Sequence, residues 1–131
     1  MPEPQDKTFR CRLISPEQVV LDCEARFVVL PAHDGQIGIA AHRAPLVCKL
    51  GIGAVRVDRP DGWQHYFVDG GFARMRGNEL AILTPKAVVD DQIDRAAAEK
   101  LLEQARAMPL GEPARADALA RAKTQLALTN T

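Results

Sequence analysis

Two hydrophobic rhythms divide the chain. From Thr8 to Val89, apolar and polar residues alternate in short runs, the period of strands with one buried face. In Phe9-Arg10-Cys11-Arg12-Leu13 the apolar positions alternate with arginines, so Phe9, Cys11 and Leu13 are expected inside. Strand-like runs follow at Val19-Val20-Leu21, Phe27-Val28-Val29-Leu30, Gln36-Ile37-Gly38-Ile39, Pro45 to Leu50, Ala54 to Val57, His65 to Val68, Phe72 to Met75 and Glu79 to Leu83. Turn formers separate them: Ser15-Pro16, Asp34-Gly35, Gly51-Ile52-Gly53, Asp61-Gly62, Asp69-Gly70-Gly71 and Gly77-Asn78. About eight to ten short strands punctuated in this way predict a sandwich or a flattened barrel, whose inner faces share one core.

Beyond Val89 the period lengthens and alanine becomes frequent. Asp94 is a candidate N-cap, with Asp90 and Asp91 just upstream. Ile93, Ala97, Leu101 and Ala105, widened by Leu102 and Met108, form an expected apolar stripe. Pro109 and Pro113 end that helix. A second helix is expected from Ala114 to Leu128, buried along Ala118, Leu119, Ala122 and Leu126, with Asp117 and Arg121 spaced to pair along it. Residues 1–90 therefore read as a β domain and residues 91–131 as a helical hairpin. Alanine faces bury little area, so the hairpin is expected to be the more mobile part, with a packing that depends on partners.

Composition narrows the function. Seventeen Lys+Arg balance seventeen Asp+Glu, giving a formal net charge of +0 across 131 residues. A nucleic-acid binder needs a cationic surplus, so no nucleic-acid partner is expected. No run of about 18 apolar residues is present, so no direct membrane insertion is expected. The start, Met1 to Lys7, lacks the apolar core of a secretory signal. Cys11, Cys23 and Cys48 are widely spaced and odd in number, which suggests neither a disulfide framework nor zinc. His33, His42 and His65 form no ligand cluster, so no metal is expected. The single serine, Ser15, lies outside any Gly-x-Ser-x-Gly, and no Walker-type phosphate loop exists. The residues show no catalytic site and call for no cofactor; they suit a subunit or adaptor better than a small enzyme.

A set of ordered motifs goes further. Ile14-Ser15-Pro16-Glu17-Gln18-Val19-Val20-Leu21-Asp22, Phe27-Val28-Val29-Leu30-Pro31, Asp34-Gly35-Gln36-Ile37-Gly38-Ile39 and Ala44-Pro45-Leu46 come first. Phe67-Val68-Asp69-Gly70-Gly71-Phe72 and Asn78-Glu79-Leu80-Ala81-Ile82-Leu83 follow. Together they resemble the epsilon subunit family of bacterial rotary ATP synthases, over roughly residues 8–128. The resemblance implies a mainly β fold, a β-sandwich of about ten strands followed by a C-terminal two-helix hairpin. It implies a non-catalytic rotor subunit of the central stalk in a proton- or sodium-driven ATP synthase. The implied partners are the gamma subunit, the c ring and, through the hairpin, the catalytic head. The implied place is peripheral, on the cytoplasmic face of the bacterial cell membrane.

The resemblance also assigns candidate residues. The turn from Gly35 to Leu46 is where the family reaches the ring; its acidic position is Gln36 here, and its histidine is Arg43, with His42 one place earlier. An extended hairpin would bring Arg115, Arg121 and Lys123 to the head and restrain ATP hydrolysis. Some family members bind ATP through Ile/Leu-Asp-x-x-Arg-Ala. Here Ile93-Asp94-Arg95 begins that motif, but Ala97-Ala98 replaces Arg-Ala, so weak or no ATP binding is expected.

Overall fold

A computed structural model describes residues 7–129. The start at Met1 to Asp6, expected to be a polar lead without a signal, lies outside the described residues, as do Asn130 and Thr131 of the expected helical segment. Eight strands come first: β1 (Phe9–Ile14), β2 (Val19–Ala25), β3 (Phe27–Ala32), β4 (Gly35–Ala40), β5 (Leu46–Arg59), β6 (Gly62–Arg76), β7 (Glu79–Leu83) and β8 (Ala87–Val89). A 3₁₀ turn at Asp90–Gln92 leads into α1 (Arg95–Ala107) and α2 (Arg115–Leu128). The strands join in the order β2-β1-β7-β6-β5-β3-β4, with β8 on β6. All pairings are antiparallel except β1 with β7.

The fold class is as expected, a mainly β-sandwich followed by two helices. The eight strands fall at the low end of the eight to ten that the turn signals suggested, because two of those signals sit inside strands. Gly51-Ile52-Gly53 lies within β5, of 14 residues, and Asp69-Gly70-Gly71 within β6, of 15 residues. The two strands stay paired through the bend, Leu50 opposite Gly71 and Ile52 opposite Asp69. Before the bend Tyr66 and Val68 are buried in the core; after it Ala73 and Met75 are. The inward parity thus switches at Gly70 and Gly71, whose φ values of 74° and 113° suit glycine. A Cβ on Gly71 would collide with the Leu83 carbonyl oxygen, so any side chain there forces the neighbouring backbone to shift.

One cluster fills the sandwich, including Phe9, Cys11, Leu13, Leu30, Ile39, Met75, Leu80 and Ile82. The alternation expected for β1 is present, with Phe9, Cys11 and Leu13 buried. Tight turns behave as their residues suggest: Gly77 and Asn78 both have positive φ, 60° and 59°, and link β6 to β7.

Asp94 caps α1, its Oδ1 accepting from the backbone N–H groups of Ala96 (3.0 Å) and Ala97 (3.4 Å). The α1 stripe is rotated from its expected position. Ala98 and Ala105 are the buried residues, with Leu102 half-buried, whereas Ala97 is exposed and Leu101 is 40% exposed. The reason is that α1 packs chiefly on α2, while α2 lies between α1 and strands β5 and β6. Phe67 projects opposite to Tyr66 and Val68, to the side of the strand that carries Asp69, and it is 1% exposed. The start of the hairpin is tethered by Asp90, whose Oδ1 accepts from Gln64 Nε2 at 2.9 Å.

Candidate functional site

Three surfaces carry the candidate residues. The first was not singled out by the sequence reading. On the outer face of the sandwich, Ile14 lies beside Leu83 across the β1–β7 ladder, and Leu83 lies beside Phe72 across β7–β6. The three make a continuous apolar row. Phe72 is 56% exposed and Leu83 is 52% exposed. With Pro16 and Pro85 at the rim they line a shallow depression of about 450 Å³ whose walls are almost wholly apolar. Exposed leucines taken singly need no explanation, but a cross-strand row does. A signal existed: in Phe72-Ala73-Arg74-Met75-Arg76, Phe72 shares its parity with two arginines, so an aromatic stands where the pattern calls for a polar residue.

The second surface is the outer edge formed by β4. Gln36 pairs with Pro31 at the start of the strand, and His42 and Arg43 follow its far end. An extended strand rises about 3.3 Å per residue, so about 13 Å of strand separates Gln36 from Ala40, just before the turn that holds His42. The three exposed residues border one edge without meeting at a point. The loop is held by Asn78: its Oδ1 accepts from the His42 N–H at 2.7 Å, and its Nδ2 donates to the Thr8 carbonyl at 3.0 Å. His42 adopts a left-handed φ of 62° there, and Arg43 is turned outward.

The third surface is the hairpin. Its three candidate cations have different surroundings. Arg121 Nε donates to Asp69 Oδ2 at 2.8 Å, joining α2 to the bend of β6. Asp117, its expected helix-internal partner, lies in the same polar cleft, with Lys49 and His33. Asp69 is itself positioned by the backbone, its N–H donating to the Lys86 carbonyl at 3.1 Å. Arg115 Nε donates to the Met108 carbonyl at 3.1 Å and closes the loop between the helices. Lys123 is exposed.

In Ile93-Asp94-Arg95, Asp94 serves the helix cap, and Arg95 Nε lies 3.2 Å from Glu99 Oε1. The adjoining hollow gathers Asp90, Asp91, Ile93, Arg95, Leu128 and Thr129. Two carboxylates beside a single arginine make a poor phosphate cradle. Among the described residues no group of three or more His, Cys, Asp or Glu side chains could hold a metal. No helix among them is long and apolar enough to cross a membrane.

Comparison with known proteins gives the family and the fold. Residues 8–90 match the family model described as the ATP synthase delta/epsilon chain, beta-sandwich domain. The ATP synthase epsilon chain of Rhodopirellula baltica is 40% identical over 123 residues, covering 91% of this chain and 96% of that one. The chloroplastic epsilon chain of Pyropia yezoensis is 41% identical over 98 residues, 75% of this chain and 73% of that one. Among solved structures, a chain of the Euglena gracilis mitochondrial ATP synthase, in an assembly of OSCP, F1 and c-ring, superposes with a TM-score of 0.79. It is 24% identical and the match covers 97% of this chain and 89% of that one. A chain from the central stalk and c-ring of the Tetrahymena thermophila enzyme superposes at 0.64 with 13% identity, covering 91% of each. Those two likenesses speak for the fold; the sequence matches speak for the family. The chain belongs to the ATP synthase delta/epsilon chain family, as a structural epsilon-type subunit and not a catalytic one.

Proposed function

We propose that this chain is the rotor subunit of a central stalk, bound to the gamma subunit through the outer face of its sandwich and to the c ring along the β4 edge. The observation that carries the reading is the bare row Ile14–Leu83–Phe72. A stable partner interface has an apolar centre inside a polar rim. Here Arg12, Arg74 and Lys49 surround the row on the same face. The gamma subunit is the occupant because the family's chains are parts of a stalk whose shaft offers a permanent surface. Burial of Phe72 and Leu83 would contribute about 1.5–3 kcal/mol each to such a contact. The packed sandwich gives the contact the stiffness that torque transmission needs.

The hairpin supplies regulation in the same reading. Folded against the sandwich it keeps Arg121 on Asp69; extended, it releases Arg121, Arg115 and Lys123 to meet acidic surface on the catalytic head and slow hydrolysis. ATP is bound weakly or not at all by Ile93-Asp94-Arg95, since Asp94 is committed to the cap and the hollow is acidic. The complex sits at the cytoplasmic face of a bacterial cell membrane and is driven by protons or sodium ions. Residues 1–90 and 91–131 act as separate domains.

Phe72→Glu tests the docking face. The side chain is exposed, so the variant folds with an unchanged unfolding midpoint but no longer co-purifies with gamma. Retained co-purification would remove the face from the interface. Deleting residues 91–131 and measuring hydrolysis by the reconstituted head tests the regulatory arm, which predicts a faster rate. Isothermal titration with ATP is expected to give no micromolar binding.

A further inference from the structure

Two cysteines well apart in the sequence stand face to face in the sheet. In the β1–β2 ladder Cys11 is the direct antiparallel partner of Cys23. Direct partners project to the same side, and both belong to the inward set, Cys11 with Phe9 and Leu13, Cys23 with Leu21 and Ala25. The Cα atoms of such partners lie about 4.5–5.5 Å apart, within the span of about 4.4–6.8 Å that a disulfide bridges. Both are free thiols in this structure. Their access differs. Cys11 is fully buried, while Cys23 is half-buried on β2, an edge strand. Burial raises the Cys23 thiol, and the Arg59 guanidinium beside it offsets part of that rise, so partial exposure on the edge strand makes Cys23 the sulfur an oxidant reaches first. Cys48 sits on β5 opposite Ala73 and takes no part in this pair.

We propose that Cys11 and Cys23 form a redox site, a dithiol that a small disulfide oxidant of the glutathione type closes into an intrachain bridge. The Cys23 thiolate attacks one sulfur of the oxidant, forming a mixed disulfide and expelling one thiolate, which takes up a proton. The Cys11 thiolate then attacks Cys23 Sγ, forming the Cys11–Cys23 bond and expelling the second small thiol. Two protein thiols are oxidised and one oxidant disulfide is reduced to two thiols, so atoms and electrons balance. Burial pushes the Cys11 thiol up to about 12 and raises Cys23 as well. Closure is therefore slow at neutral pH and quickens as pH rises. The bridge pins the edge strand β2 to β1 and leaves the outer apolar row and the hairpin untouched, so it stands apart from the docking reading.

The test uses the full chain, reduced, freed of reductant and incubated with oxidised glutathione. Free thiols are then alkylated, and intact mass and peptide mapping follow. The expected product has lost two hydrogens, carries no glutathione, leaves Cys48 alkylated and links the Cys11 peptide to the Cys23 peptide. Cys48→Ser gives the same bridge, and Cys23→Ser gives none. The rate rises several-fold between about pH 7 and about pH 9. Three thiols still free, glutathione held stably on Cys23, or a bridge to Cys48 would each overturn the proposal.

Discussion

The sandwich and the hairpin are held together by different means. The sandwich buries large side chains from every layer, among them Phe9, Leu13, Leu30, Ile39, Met75, Leu80 and Ile82. The two helices bury Ala98, Ala105, Ala122 and Leu128. Each large side chain contributes about 1.5–3 kcal/mol on burial, and an alanine much less. What joins the two parts includes the packing of α2 on β5 and β6, the Arg121–Asp69 bridge and the Asp90 tether. On side-chain size, the sandwich is expected to be the stiffer part and the hairpin the more weakly held.

The difference can be stressed by substitution. Phe9→Ala leaves a cavity in the sandwich core and is expected to cost about 3–5 kcal/mol, read from the midpoint of urea unfolding. Gly71→Ala meets the Leu83 carbonyl and an unfavourable φ; about 2–3 kcal/mol is expected, with the loss again in the sandwich transition. An equivalent midpoint for Gly71→Ala would mean that the bend relaxes easily. Arg121→Ala acts on the arm. The pair is half exposed, so at most about 1 kcal/mol is lost, seen as faster amide exchange in α2 with the sandwich unchanged.

The smallest effect belongs to a surface pair inside the sandwich. Arg10 Nε and Nη2 grip Asp22 in a two-pronged contact at 2.6 and 2.9 Å, and that hydrogen bond holds the Asp22 carboxyl below its ordinary value. A depressed carboxylate stabilises the fold above its unfolded value, about 3.9, and the contribution fades as pH falls through the lower folded value. Asp22→Asn is therefore expected to flatten slightly the acid limb of stability against pH, measured by thermal melts below about pH 4.

Much of this was legible in the residues. The alternation in β1, the hairpin turns at Asp61-Gly62 and Gly77-Asn78, and the Asp94 cap are local signals, and local geometry followed them. The misreadings arose where tertiary contacts decide. Gly51 and Gly70-Gly71 signal turns, yet they bend continuous strands because β5 and β6 pair on both sides of them. Ala97 and Ala98 cannot be ranked by period alone; the seam with α2 selected Ala98. Arg121 had an acid four residues back, but docking of α2 gave it Asp69. Of the candidate site, the β4 edge residues were visible in the motif order, whereas the Ile14–Leu83–Phe72 row joins three strands and required the register.

The separateness of arm and body is tested most directly by native-state hydrogen exchange across the full chain. Amides of α1 and α2 are expected to exchange through a local opening, at least about a hundredfold faster than those of the β5–β6 ladder and with little dependence on urea. Equal protection and one shared urea dependence for helices and strands would contradict it, since the hairpin would then open only when the sandwich unfolds.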